Sequence, residues 1–261
     1  AAGALGGYVT AGINNTRRGE GLAADIVRAD CQILLTDAEH RPLLDGLELP
    51  GVTVLDTSTP QWAEMLSGAA ELTPHSVPGA MDTFMLIFTS GTSGDPKAVQ
   101  CDHAKFAAAG EMLSQRFGLG PSDVCYLSMP LFHSNAIMAG WAVAAAAGAS
   151  IALRRKFSAS GFMPDIRRFG ATYANYVGKP LSYILATDPA PDDADNPLRI
   201  LYGNEGAPRD LRRFAERFGV TVVDGFGSSE GGVAIARTPD TPEGALGPLT
   251  DQVAIVDVDT G

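Results

Sequence analysis

Residues 198–225 read LRILYGNEGAPRDLRRFAERFGVTVVDG. An apolar run at 198–202 gives way to a loop of small residues, then a helical stretch at 209–218, then a second apolar run at 221–225. Two strands joined through a helix predict a parallel pair, because such strands need a long crossover. The alternation extends outward in both directions. Further candidate strands lie at 31–35, 52–55, 84–88, 124–129, 150–153 and 171–175, with helical stretches at 19–29, 101–117 and 161–169. Strands alternating with helices predict an α/β class with parallel-type sheets flanked by helices.

In such sheets ligands bind beyond the carboxyl ends of the strands. Three unusual loops fall there: 89–97 after the strand 84–88, 203–208 after 198–202, and 226–232 after 221–225. Their convergence predicts one composite site.

The first loop is Thr89, Ser90, Gly91, Thr92, Ser93, Gly94, Asp95, Pro96 and Lys97. Glycines let backbone N–H groups curl around phosphate oxygens, hydroxyls add donors, and a lysine supplies a point charge. A Walker A loop is excluded, because Asp95 and Pro96 separate Gly94 from Lys97. A flexible Gly/Ser surface turn is the plainer alternative. The third loop follows Gly225 and carries Phe226, Gly227, Ser228, Ser229 and Glu230. An aromatic ring there can stack on a base, and a carboxylate can hold Mg²⁺ against phosphate oxygens. A glycine-rich turn with a solvated glutamate is its alternative.

The same loop fits the G-x-S-x-G nucleophile elbow, which needs an acidic residue and then a histidine downstream. The four histidines, His40, His75, His103 and His133, all lie upstream, so the hydrolase reading fails within this chain. The middle loop, Gly203, Asn204, Glu205, Gly206 and Ala207, leaves room for a flat ring against backbone. It reads equally well as a strand-to-helix connection with Pro208 in the first helical turn. His133 follows a strand among apolar neighbours, where a packed, hydrogen-bonded histidine is the ordinary role. His103, near a helix start, reads as structural.

The net charge is −11, which argues against broad attraction to nucleic acid, so an anionic ligand needs a local device. With 45% hydrophobic and 19% charged residues the composition is that of an ordinary globular protein. Cys31, Cys101 and Cys125 have no framework or metal spacing and read as reduced thiols of a cytoplasmic protein. No apolar run reaches the ~18 residues of a membrane span, and 141–151 reads as a buried helix end leading into a strand. The chain opens mid-helix without an initiator methionine, and 253–258 reads as a strand followed by a turn at 259–261, as in a fragment of a longer protein.

Together the loops resemble the adenylate-forming superfamily of acyl-CoA synthetases, luciferases and peptide-synthetase adenylation domains. The match in order and spacing runs across 89–97, Leu131, Phe132 and His133, 203–208, and Phe226 to Glu230, the last fitting that superfamily's aromatic-Gly-x-Ser/Thr-Glu motif. Residues 11–20, Tyr176, Val177 and Gly178, and the Gly203–Asn204 pair are similar to the fatty-acid-transport-protein, or very-long-chain acyl-CoA synthetase, branch. The resemblance implies the large N-terminal domain of such enzymes, with a first α/β subdomain at 1–119, a second at 120–238, and the start of a small β-barrel at 239–261.

It also implies roles. Thr89, Ser90, Gly91, Thr92, Ser93, Gly94 and Lys97 would embrace the ATP phosphates, and Thr89 and Glu230 would hold Mg²⁺. Phe226, with Gly225, Gly227, Ser228 and Ser229 around it, would bracket adenine against the 203–207 loop. His133 would face the acyl and coenzyme A side, and Tyr176, Val177 and Gly178 would wall the acyl pocket. Three residues depart from the usual pattern: Ser93 for Thr, Ala98 for Gly, and Lys179 for the Glu frequent in the transport-protein branch. The ribose-binding aspartate and the adenylation lysine of a C-terminal domain are expected beyond Gly261.

The implied activity is ATP-dependent conversion of a fatty acid to an acyl-adenylate and then to acyl-CoA, with the fragment alone inactive. The alternatives are transfer to a carrier protein, and lipid binding or uptake with degenerate chemistry. A cytoplasmic location, peripheral membrane association and homo-oligomers are all compatible with this reading.

Overall fold

The computed structural model describes residues 2–74, 76–89, 96–231, 233–238, 240–242, 244–249 and 253–257. The chain forms two compact units, Ala1–Ala104 and Lys105–Gly261.

The first unit contains α1 (Ala2–Gly6), β1 (Thr10–Gly12), α2 (Gly19–Arg28), β2 (Ile33–Thr36), a 3₁₀ turn (Arg41–Leu44), β3 (Thr53–Asp56), α3 (Pro60–Ser67), β4 (Thr83–Thr89) and β5 (Lys97–Asp102). Local chemistry starts these elements. Thr59 caps α3 by accepting from the Trp62 amide, and Pro60, which has no N–H to leave orphaned, takes the first helical position. On α2, Leu22 and Ile26 lie one turn apart and are both buried.

Strands β2 and β3 pair parallel in a sheet of their own, while β1, β4 and β5 form a second sheet. There β1 runs parallel to β4, but β5 runs antiparallel, with Thr89 opposite Lys97. Lys97 thus opens an antiparallel strand that is the next element after β4. Residues 101 and 102, expected to open a helix, belong to β5, and the helix begins at His103. With Lys97, Gln100 and Asp102 on an edge strand, β5 lacks the apolar run that betrays a buried strand.

The chain passes into the second unit along α4 (His103–Phe117). There follow β6 (Val124–Leu127), α5 (Ser134–Ala136), a π-helical turn (Ile137–Trp141), α6 (Ala142–Ala147), β7 (Ser150–Leu153), α7 (Ala159–Phe169), β8 (Tyr173–Val177), α8 (Pro180–Leu185), β9 (Ile200–Asn204), α9 (Pro208–Phe218), β10 (Thr221–Gly227) and β11 (Ala234–Ala236). The six strands form one sheet in the order β11-β10-β9-β8-β6-β7, all parallel except the edge strand β11.

Alternation along the strands builds two cores. Tyr126, Ala174, Tyr176 and Leu201 face α7, α8 and α9 through Phe162, Ile166, Leu181, Ile184 and Phe214. Cys125, Leu127, Tyr173 and Tyr202 face Leu113 of α4 and Ala139, Val143 and Ala144 of the 137–147 stretch. Each successive residue turns to the opposite layer, as strand geometry requires. With β7 and β8 on opposite sides of β6, the sheet also has a reversal of strand order beside β6, where ligands of open α/β sheets bind.

The helix expected to end near residue 147 and lead into a strand is present as α6 and β7. Several strands end later than expected, and in β9 and β10 this moves site residues. Gly203 and Asn204 are the last residues of β9, not loop, and Gly225, Phe226 and Gly227 are the end of β10. Their pairing with β8 and with the unforeseen β11 carried the ladders further than apolar runs alone indicate. The strand expected at 253–258 is not formed: 253–257 is irregular, with Ile255 and Val256 exposed. No closed barrel is formed among the described residues, and the turn expected at 259–261 lies outside them. No helix among the described residues is long and apolar enough to cross a membrane.

Candidate active site

The sheet of the second unit delivers three loops to one edge, beyond the carboxyl ends of β6, β9 and β10. Residues 128–133 lead from β6 to α5. His133 is the N-cap of α5, its Nδ1 accepting from the Asn135 amide at 3.2 Å. Burial is the main influence on its imidazole and holds the pKa below the ordinary value, while the Glu205 carboxylate pulls it back up. His133 remains solvent-exposed as the cap.

The next two residues bind this cap to the other loops. Ser134 Oγ accepts from Ser229 Oγ at 2.9 Å. Asn135, buried, donates from Nδ2 to Asn204 Oδ1 at 3.0 Å and accepts at Oδ1 from Asn175 Nδ2 at 2.6 Å. Asn204 Nδ2 in turn donates to the Gly225 carbonyl at 2.7 Å. Three asparagines from β8, α5 and β9 therefore form a head-to-tail row that ends on β10.

Beside it stands a second latch. The Tyr176 hydroxyl donates to Asp224 Oδ2, and the Gly206 amide donates to the same oxygen at 2.9 Å. Burial is the main influence on both groups: it raises the Tyr176 pKa far above its ordinary value and lifts Asp224 above the usual carboxylate range. Gly203 is demanded here by space. A Cβ on it would stand 2.2 Å from the Tyr176 carbonyl oxygen and 2.5 Å from the Tyr176 ring. Glu205, between Asn204 and Gly206, adopts φ +63°, a conformation that costs a non-glycine residue about 1–3 kcal/mol. Val177 pairs with Asn204 across the ladder, and the Gly178 amide donates to the Asn204 carbonyl at 2.9 Å.

Past β10, Ser228 accepts from the Glu230 amide at 3.2 Å and donates to its Oε2 at 2.5 Å, so the carboxylate is held on an exposed turn. Lys105 of α4 donates to the Ser229 carbonyl at 2.5 Å and anchors the turn from below. Phe226 is 48% exposed, unusual for so large an apolar side chain. Among the described residues no group of three or more His, Cys, Asp or Glu side chains gathers into a metal cage. A carboxylate on an exposed turn is the kind of group that Mg²⁺ accepts jointly with phosphates.

In the first unit, Thr89 and Lys97 form a cross-strand pair, with Lys97 exposed. Ser90, Gly91, Thr92, Ser93 and Gly94, expected to bind phosphate, lie outside the described residues. The loop's exit is tethered: Arg28 donates to the Pro96 carbonyl at 2.8 Å and stands 3.8 Å from Asp25, a buried carboxylate that also accepts from Arg17 at 3.1 Å. His103 packs its ring 5.3 Å from Phe84, the structural role expected of it.

The supporting residues Asn135, Asn175, Asp224, Lys105 and Arg28 escaped the sequence reading. Asn175 alone offers a signal there, as a polar residue in the apolar stretch YANYV. The partners of the others are far apart in the chain, so their roles exist only in the folded sheet.

A family model described as AMP-binding enzyme matches residues 2–261. The chain is 60% identical over 263 residues to the medium/long-chain-fatty-acid–CoA ligase FadD17 of Mycobacterium tuberculosis, covering 100% of this chain and 51% of that protein. It is 46% identical to the steroid-22-oyl-CoA synthetase of Rhodococcus jostii, covering 98% of this chain and 47% of the relative. The fold also matches the crystal structure of apo MatB from Rhodopseudomonas palustris, with a TM-score of 0.78 at 21% identity over 94% of this chain and 50% of that one. The chain thus spans about half the length of the curated relatives it matches.

Proposed function

Since this chain belongs to the AMP-binding enzyme family, we propose that the full-length protein activates a medium- to long-chain fatty acid with ATP and passes the acyl group to coenzyme A. The observation that carries this reading is the union at one sheet edge of the His133 cap, the 204–206 turn and the Glu230 turn. The 60% identity to a fatty-acid–CoA ligase supports the substrate class. The three cysteines are free, which fits the cytoplasm as compartment.

In the first step a carboxylate oxygen attacks the α-phosphorus, the bond from that phosphorus to the bridging oxygen breaks, and pyrophosphate leaves. In the second the CoA thiolate attacks the acyl carbonyl carbon and AMP leaves with the bonding pair. The protein's part is positioning and electrostatics. Lys97 and the 89–94 hydroxyls and amides neutralise phosphate charge. Phe226, Gly225, Gly227, Ser228, Ser229 and the 203–207 turn receive the adenine. His133 faces the acid and CoA, and Tyr176, Val177 and Gly178 wall the acyl chain. Glu230 and Thr89 would hold Mg²⁺, which when bound draws negative charge from the phosphates.

The test is fatty-acid-dependent exchange of labelled pyrophosphate into ATP by the full-length protein. Exchange is expected with medium- or long-chain acids, and Glu230→Gln slows it at least about tenfold at limiting Mg²⁺, the scale of damage to a metal's ligand environment. Absence of exchange with every acid tried refutes the reading.

A further inference from the structure

The asparagine row has a direction, and that direction can be worked out from one end. The Gly225 carbonyl can only accept, so Asn204 must turn Nδ2 to it. That leaves Asn204 Oδ1 toward Asn135, which must then offer Nδ2. Asn135 Oδ1 is thereby left toward Asn175, which must offer its own Nδ2. The Asn175 donor also lies 3.5 Å from the Asn135 main-chain carbonyl, a second acceptor that agrees with the same orientation.

The row ends at a cost. Asn175 is 1% exposed, and its Oδ1 has no hydrogen-bond partner among the described residues. It points at Gly140 in the π-helical turn, where a Cβ would come within 3.2 Å of that oxygen. A buried acceptor without a partner costs about 1–3 kcal/mol. A π-helical turn inside a helix is itself frequent at functional sites.

We propose that Asn135 is a positioning residue for the nucleotide side of the site, holding Asn204 and through it the Gly225 carbonyl in one orientation. It stands two residues after His133, so the same short helix that presents the acid-side cap also sets the adenine-side strand ends. Asn135 acts through Asn204 and touches no substrate itself. The assignment rests on the adenylation reading above.

Asn135→Asp is the isosteric test in the full-length protein. Its carboxylate still accepts from Asn175, but when ionised it has no hydrogen to give Asn204 Oδ1. In pyrophosphate exchange the KM for ATP is expected to rise about 10- to 100-fold with a smaller change in kcat, the scale of one lost buried hydrogen-bond partner. A merely structural role would lower the melting temperature and leave KM unchanged in the folded fraction. Selective asparagine labelling adds a readout independent of activity. The Asn204 side-chain amide protons of the unmodified protein should exchange with solvent more slowly than an unbonded side-chain amide, and faster in Asn135→Asp. An unchanged KM for ATP in an active, folded variant overturns the proposal, as does unprotected Asn204 in the unmodified protein. Failure of the unmodified protein to exchange pyrophosphate refutes adenylation instead, and the amide measurement still decides the role of Asn135.

Discussion

Tyr176→Phe removes one oxygen atom and leaves the ring that packs beside Gly203, so it isolates the bond from the tyrosine hydroxyl to Asp224. Its effect should depend on pH in a direction the structure determines. Burial is the dominant influence on Asp224 and raises its pKa, and Glu205 adds to the rise; the Tyr176 hydroxyl, the Gly206 amide and Arg237 oppose it. An acid with a raised folded pKa binds its proton more tightly folded than unfolded. Its contribution to stability therefore falls as pH rises from the ordinary carboxylate value through the raised one.

Losing the Tyr176 hydroxyl raises the Asp224 pKa further and deepens that fall. Below the ordinary carboxylate range the carboxyl is neutral in both states, and the variant loses a neutral hydrogen bond worth about 0.5–1.5 kcal/mol. Above the raised value it loses a bond to a charged acceptor, about 1.5–3 kcal/mol, with only the Gly206 amide left on that oxygen. The two regimes differ by about 1 kcal/mol or more. Urea unfolding of both proteins at an acid and at a mildly alkaline pH measures the difference. A loss equal at both pH values, or greater on the acid side, would refute the role given to Asp224.

Two further substitutions probe the sheet that carries the site. Gly203→Ala should separate β8 from β9, because its Cβ meets a strand carbonyl at 2.2 Å that has no room to retreat; a cost of about 1–3 kcal/mol or more is expected. A melting temperature equal to that of the unmodified protein would contradict it. Arg217→Met removes donors to Asp193 (2.6 Å) and to the carbonyls of Leu185, Thr187 and Asp188, at a cost of about 3 kcal/mol or more. Burial pushes Asp193 up, but the Ala190 amide and Arg217 together hold its pKa below the ordinary value. Its stabilisation is complete above the ordinary carboxylate value and fades as pH falls through the depressed one, so the Arg217→Met deficit should narrow in acid. Thermal melts across that range will show a constant deficit if the pairing is irrelevant.

The α/β class, the strand-end loops and the motifs in them were all readable in the linear chain. Local signals suffice for that. Apolar runs of strand length alternate with helical stretches, and Gly, Ser and Thr cluster where backbone amides are to be exposed. Strand ends were less legible, because the ladders extend through Gly203, Asn204 and Gly227, residues that look like loop until a neighbouring strand offers them partners. The edge strand β5 was hidden for a related reason, having one covered face and a polar sequence.

By itself, then, the sequence determined the α/β class and which polar and small residues follow the strand ends. The tertiary structure alone decided what holds those groups still. Asn175, Asn135 and Asn204 belong to three separate elements and meet only because parallel pairing brings β8, β9 and β10 into register beneath the cap of α5. Lys105 reaches Ser229 across 124 residues of chain, and Tyr176 reaches Asp224 across 48. Hydrogen bonds act over about 3 Å whatever the sequence separation. Motif spacing therefore marks candidate groups along the chain, and the side chains that hold them in place are found only in the fold.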